Sequence, residues 1–172
     1  CVVYVTATVF TPPLRALWRH NMRHSHCLLD FYDDARFNQS TRALGIAEHV
    51  DFMSIGTNDL VQYTLAIDRI DDEVSNLFDP TNPAVLSLIK KVIESGKKSN
   101  IDVSICGEMA GEKIFTRLLL GLGLKSFSMH PQAIPEVKNI ILNSNINKIK
   151  RKINTILKCN DRLLRENLIR NL

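Results

Sequence analysis

The chain has 172 residues, of which 45% are hydrophobic and 23% charged, and a net charge of +4 at neutral pH. Those values exclude a disordered, collagen-like or disulfide-scaffold chain. No apolar run approaches the ~20 residues of a membrane span, and the length excludes a complete eight-fold β/α barrel of ~250 residues. The basic excess is mild and does not by itself indicate nucleic acid. The cysteines, Cys1, Cys27, Cys106 and Cys159, form no C-x-x-C pair and suggest no disulfide framework. A reducing, cytoplasmic compartment is the simplest expectation. The chain begins with Cys1 and not Met, which suggests a processed or partial chain; its start has no basic leader and no small-residue cleavage pattern and does not read as a signal peptide.

Composition breaks near residue 45. Residues 1–50 contain no lysine, and their strong bases are Arg15, Arg19, Arg23, Arg36 and Arg42. They are rich in aromatics and histidine, whereas the last part is rich in Ile, Asn and Lys. The expected organisation is an atypical leader over 1–45, an α/β unit over 46–145 and a helical tail over 146–172. No internal repeat at a fixed period is found.

From residue 51 the elements follow in order. Asp51–Gly56 is a short apolar run ending in Gly, which predicts a buried parallel strand opening into a loop at Thr57, Asn58 and Asp59. Asn82 and Pro83 predict a helix start. Its buried stripe is Val85, Leu88, Ile89, Val92 and Ile93, and Gly96, Lys97 and Lys98 suit its end. Ile101–Cys106 alternates like a strand and is ended by Gly107. A helix is expected over Lys113–Leu120, closed by Gly121 and Gly123. A third short strand follows over Ser126–Met129, then helices over Glu136–Leu142 and Ile146–Leu157. The alternation of strand and helix predicts a parallel α/β sheet or barrel. On the last helix Ile146, Ile149, Ile153 and Ile156 make one stripe. Lys148, Lys150, Arg151 and Lys152 fall largely off it, a solvated basic face in preference to a nucleic-acid or membrane surface.

Polar groups recur just after the strands, where parallel sheets and barrels build their sites. Asn58 and Asp59 follow the first strand, Cys106 and Glu108 the second, and His130 the third. Singly, each has a structural reading: Asp59 as a cap, Cys106 as a small buried hydrophobe, His130 as loop filling. Together they suit metal or anion binding with proton transfer. Asp59 is a hard oxygen ligand that suits Mg²⁺. Arg69 offers a planar fork for a carboxylate or phosphate, or a surface ion pair with Asp68, Asp71 or Asp72. His20, His24, His26 and Cys27 form a second cluster. It lacks a second ligand pair at a known zinc spacing and reads as incidental.

The run from Phe52 to Arg69, with Gly56-Thr57-Asn58-Asp59-Leu60 at its centre, resembles the signature of phosphoenolpyruvate-utilising enzymes. Gln62-Tyr63-Thr64-Leu65-Ala66-Ile67-Asp68-Arg69 resembles the phosphoenolpyruvate–protein phosphotransferases in particular, the enzyme I family of the bacterial sugar phosphotransferase system. Pyruvate phosphate dikinases and phosphoenolpyruvate synthases share the central motif but usually diverge after it. Cys106-Gly107-Glu108-Met109-Ala110-Gly111, Leu118–Gly123 and Phe127-Ser128-Met129 are similar to enzyme I as well. The resemblance covers about 51–142. It implies a (β/α)₈ TIM-type barrel of which this chain holds about three βα units, the incomplete C-terminal portion. It also implies phosphoenolpyruvate, released as pyruvate, as substrate and Mg²⁺ as cofactor. The phosphoryl group would pass to a histidine on a separate N-terminal domain, then to the histidine-containing phosphocarrier protein. The intact enzyme would be a homodimer, with no nucleic-acid or membrane partner. By position, Asp59 would ligate Mg²⁺, Asn58 and Asp59 would bind substrate, Arg69 would clamp its negative charge, and Cys106 would protonate the departing enolate.

The family pattern is not met throughout. Its second Mg²⁺ carboxylate is expected about 24 residues before Asp59. That is near Ala35, where Asp33 and Asp34 sit in no matching motif. The upstream substrate arginines and the phosphorylated-histidine domain are missing. The leader therefore reads as unrelated or out of frame, and the chain as a fragment that is weakly active or inactive alone. Alternatives are a non-catalytic phosphoenolpyruvate-binding or dimerisation module, another phosphoenolpyruvate-utilising enzyme, or a degraded gene product. A partial barrel would leave open sheet edges, so poor stability, aggregation or dimerisation is expected.

Overall fold

The computed structural model describes residues 47–48, 50–67 and 74–172. The leader, the His20–Cys27 cluster and Arg69 lie outside the described residues. Three strands form one parallel sheet in the order β1, β2, β3: β1 is Phe52–Gly56, β2 Asp102–Cys106 and β3 Ser126–Phe127. Ser54 stands beside Ser104, Gly56 beside Cys106, and Ile105 beside Phe127. β3 is two residues shorter than the sequence predicts. The ladder nevertheless continues one step, the Ser128 N–H donating to Ile105 O at 2.8 Å.

The period of two divides the sheet into unlike faces. Met53, Ile55, Ile105 and Phe127 are buried in the core. Ser54, Ser104, Cys106 and Ser126 alternate with them and are only half-buried. One face is thus apolar and covered by helices, and the other is lined by small polar side chains.

Helix α1, Thr57–Leu65, begins directly after β1. This corrects the loop expected at Thr57, Asn58 and Asp59, which instead form its first turn. The types Gly-Thr-Asn-Asp favour a turn through local side-chain bonds. Here the Thr57 hydroxyl donates to the Cys106 carbonyl of the neighbouring strand at 2.9 Å, so a tertiary bond replaces the local one. Thr57 and Val61, four residues apart, are the buried residues of α1.

Helix α2, Pro83–Ser99, starts where expected, with Asn82 Oδ1 accepting from the Ala84 N–H at 2.9 Å. Its buried stripe includes Leu86 instead of Leu88, which is half-buried. Gly96 does not end it. The helix runs on to Asn100, whose φ of 55° makes the left-handed cap. Gly96 is needed for close packing, since a Cβ there would collide with the Val103 side chain and stand 3.2 Å from Ile101 O.

A short helix α3, Glu108–Gly111, follows β2, and α4 spans Lys113–Leu122. Gly121 lies inside α4 against Ile149 and Ile153, and only Gly123, at φ 106°, caps it. Helix α5 is Ile134–Leu142, starting before the expected Glu136, and α6 is Ile146–Lys158. Ile149, Ile153 and Ile156 are buried as the stripe predicts, while Ile146 is 36% exposed. Helix α7, Arg162–Arg170, lies in the helical tail expected over 146–172, as a second helix beyond the one expected over Ile146–Leu157. α2 packs on β1 and β2, α4 packs on α2, α5, α6 and α7, and α6 also touches α2. The tail is thus part of the same core.

Candidate functional site

β1 and β2 are parallel and in register, so their C-terminal residues Gly56 and Cys106 are neighbours at one edge. α1 and α3 begin immediately beyond them, which brings residues some fifty positions apart in the chain into one cluster. Asn58 Oδ1 accepts from the Glu108 N–H at 3.1 Å, linking the first turns of the two helices. The Cys106 thiol donates to Ile55 O at 3.5 Å and accepts from the Ser54 hydroxyl at 3.8 Å. It is half-buried on the polar face of the sheet.

Gly107 sits between these groups with φ 93° and ψ −171°, a conformation open essentially to glycine. A Cβ at this position would stand 2.5 Å from Thr57 Oγ1 and 3.0 Å from Asn58 Oδ1. The backbone approach that brings Cys106 beside Thr57 and Asn58 therefore requires the missing side chain.

Asp59 is exposed in the first turn of α1 and makes no side-chain cap. An exposed carboxylate fits Mg²⁺ held through one or two carboxylates, water and substrate phosphate. Among the described residues no group of three His, Cys, Asp or Glu side chains is placed to hold a metal. The N-terminus of α1 opens at the same edge, where unpaired N–H groups and the helix dipole favour an anion.

Glu112 lies just before α4. Desolvation first, and the neighbouring Glu108 second, push its carboxyl above the ordinary carboxylate range. His130 does not join the cluster through any hydrogen bond: it is exposed, and Nδ1 accepts from the Gln132 N–H at 3.4 Å as a turn cap. Of the sequence-predicted residues, the structure brings Asn58, Cys106 and Glu108 together, with Asp59 adjoining. Ser54, Thr57 and Gly107 complete the cluster and were not singled out by sequence. The signal for Thr57 and Gly107 was available, since both adjoin strand ends.

A family model described as "PEP-utilising enzyme, PEP-binding domain" matches residues 40–146. The chain belongs to this family. A phosphoenolpyruvate-protein phosphotransferase of Cupriavidus necator is 49% identical over 112 residues, covering 65% of this chain and 19% of the relative. Those of Borreliella burgdorferi and Haemophilus influenzae are 47% and 46% identical over 112 residues, each covering 65% of this chain and 20% of the relative. The chain thus spans about a fifth of the length of the curated relatives it matches. Among the described residues no helix is long and apolar enough to cross a membrane.

Proposed function

We propose that the chain is the C-terminal part of a phosphoenolpyruvate–protein phosphotransferase, a transferase of phosphorus-containing groups, and supplies one side of its phosphoenolpyruvate site. The single observation that carries this reading is the Cys106 thiol. It is held between Ser54 Oγ and Ile55 O, beside Thr57, Asn58 and the start of α1. The sheet is the last three βα units of a (β/α)₈ barrel, and the half-buried face of Ser54, Ser104 and Cys106 is its interior. Small polar interior side chains leave room for a polar ligand.

In this reading the N-terminus of α1 and Asn58 hold the substrate's anionic groups, and Arg69 clamps its charge. Asp59 would hold Mg²⁺, which supplies neutralisation of phosphoryl charge when bound. Cys106 delivers its proton to the methylene carbon of the enolate left after phosphoryl departure. The products are pyruvate and a thiolate that water reprotonates. The receiving histidine belongs to a separate N-terminal domain, and the phosphocarrier protein is the next acceptor. The intact enzyme is a cytoplasmic homodimer, in keeping with the free thiols of Cys106 and Cys159 and with Leu163 and Leu164, which are 74% and 54% exposed.

The test mixes the chain with Mg²⁺ and phosphoenolpyruvate and follows binding by calorimetry. An N-terminal domain carrying the unphosphorylated acceptor histidine, supplied in trans, then reports turnover as pyruvate release. Binding abolished by Asn58→Ala supports the reading. Wild-type chain that binds no phosphoenolpyruvate at millimolar concentration refutes it for this chain.

A further inference from the structure

The most deeply buried charged side chain among the described residues lies outside the strand-end cluster. Arg165 of α7 is 2% exposed, and every polar atom of its guanidinium has a partner. Nη2 donates to Asp79 Oδ2 at 2.5 Å, and Asp79 is itself 6% exposed. Nε donates to Thr81 Oγ1 at 3.2 Å, and Nη1 to Cys159 O at 2.9 Å and Asn160 O at 3.4 Å. Asp79 Oδ1 accepts from both the N–H and the hydroxyl of Thr81, at 2.9 and 2.6 Å. One turn earlier on α7, Arg162 Nη1 donates to Asn76 O at 3.1 Å. Helix α7 therefore grips residues 76–81 at three points.

The grip has a direction. α2 ends at Ser99 and β2 starts at Asp102, so the C-terminus of α2 stands at the N-terminal edge of the strands. α2 is 17 residues long, ~25 Å at 1.5 Å per residue. A five-residue strand spans only ~17 Å. The N-terminus of α2, and the segment 74–82 that leads into it, therefore stand at or beyond the C-terminal edge. That is the edge carrying Asn58, Asp59 and Cys106.

We propose that α7 is a clasp that registers the segment 74–82 over this edge, and that Arg165 is a positioning residue for the substrate site. The effect on substrate rests on the phosphoenolpyruvate reading above, while the clasp itself does not. The tail beyond the family-matched region is then a working part of the site. A buried, fully bonded ion pair also fits this role better than a stabilising one. Burying two charges costs desolvation that apolar packing would avoid, whereas directional bonds fix one geometry.

The test uses the full chain and the double variant Asp79→Asn, Arg165→Met. It removes both charges together, so no unpaired carboxylate is stranded in the core, and the new amide oxygen still accepts from Thr81. Lys152→Ala is the control: its Nζ donates to Asn171 O at 2.7 Å, so it loosens the end of α7 without touching residues 74–82. Amide hydrogen exchange and titration with Mg²⁺ and phosphoenolpyruvate are read on each. The double variant should exchange at least about tenfold faster over 74–82 alone. Its dissociation constant for phosphoenolpyruvate should rise roughly tenfold or more, and its unfolding midpoint should stay near that of the control. Unchanged exchange over 74–82, or loss of protection throughout the chain, overturns the clasp. Faster local exchange with unchanged affinity overturns the positioning role. If the wild-type chain binds no phosphoenolpyruvate, the functional reading fails, and the exchange pattern still decides the clasp.

Discussion

Gly107→Ala tests whether the cluster at the strand ends depends on a missing side chain. Two costs add. The φ of 93° with ψ near the extended limit lies in a region that costs a non-glycine residue about 1–3 kcal/mol. The new Cβ would also stand 2.5 Å from Thr57 Oγ1, an atom fixed by its bond to Cys106 O. Thr57 is fully buried, so its side chain has nowhere to retreat, and overpacking of this kind costs a further ~1–3 kcal/mol. The sum predicts a loss of roughly 2–6 kcal/mol, a large part of the about 5–15 kcal/mol of an ordinary domain. Thr57→Ala separates the two costs. Alone it loses one hydrogen bond, about 1 kcal/mol. Combined with Gly107→Ala it removes the colliding oxygen, so the double variant should be more stable than the two single losses predict, by ~1 kcal/mol or more. Urea unfolding followed by far-ultraviolet circular dichroism reads all three variants. Additive losses would show that no collision occurs, and a Gly107→Ala variant within ~0.5 kcal/mol of wild type would refute the backbone argument altogether.

Three further outcomes are expected. Cys106→Ser keeps a donor to Ile55 O but replaces a thiol with a far weaker acid; phosphoenolpyruvate binding should persist while pyruvate formation falls by ~10²–10⁴, and an unchanged rate would remove Cys106 as the proton source. Ile153→Ala deletes a buried contact with Gly121 and should cost about 2–5 kcal/mol, measured by denaturant unfolding; a loss below ~0.5 kcal/mol would show that α6 does not dock on α4. Glu112 has a folded-state pKa raised above 4.5, so the folded state holds its proton more tightly than the unfolded state. That contribution is present below 4.5 and is lost as pH rises through the raised value. Glu112→Gln should therefore flatten the fall of stability in that window and leave the variant slightly more stable at neutral pH; parallel pH profiles of the melting temperature would count against it.

The strands and most helices could be read from residue types because their signals are local. A β-apolar run ending in Gly, as at Gly56 and Gly107, marks a strand end whatever surrounds it. Asn82 followed by Pro83 caps a helix by geometry that needs only its own neighbours. The strand-end positions of Asn58, Asp59 and Cys106 followed from the same signals. What escaped was decided by contacts across the chain. Thr57 read as loop because its partner is a carbonyl 49 residues away. Gly96 read as a stop signal because the side chain of Val103 that excludes a Cβ lies on the next strand.

The sequence by itself determined the family and the parallel α/β order, because motif, period and punctuation are properties of short segments. Only the tertiary structure decided which glycines are conformational and which are packing positions, that the sheet has one apolar and one polar face in these registers, and that Arg165 is a core residue. In sequence Arg165 is one base in a basic tail, and such a residue is ordinarily solvated. Its burial depends on Asp79, 86 residues earlier, and a charge enters a core only when the fold delivers a partner to meet it.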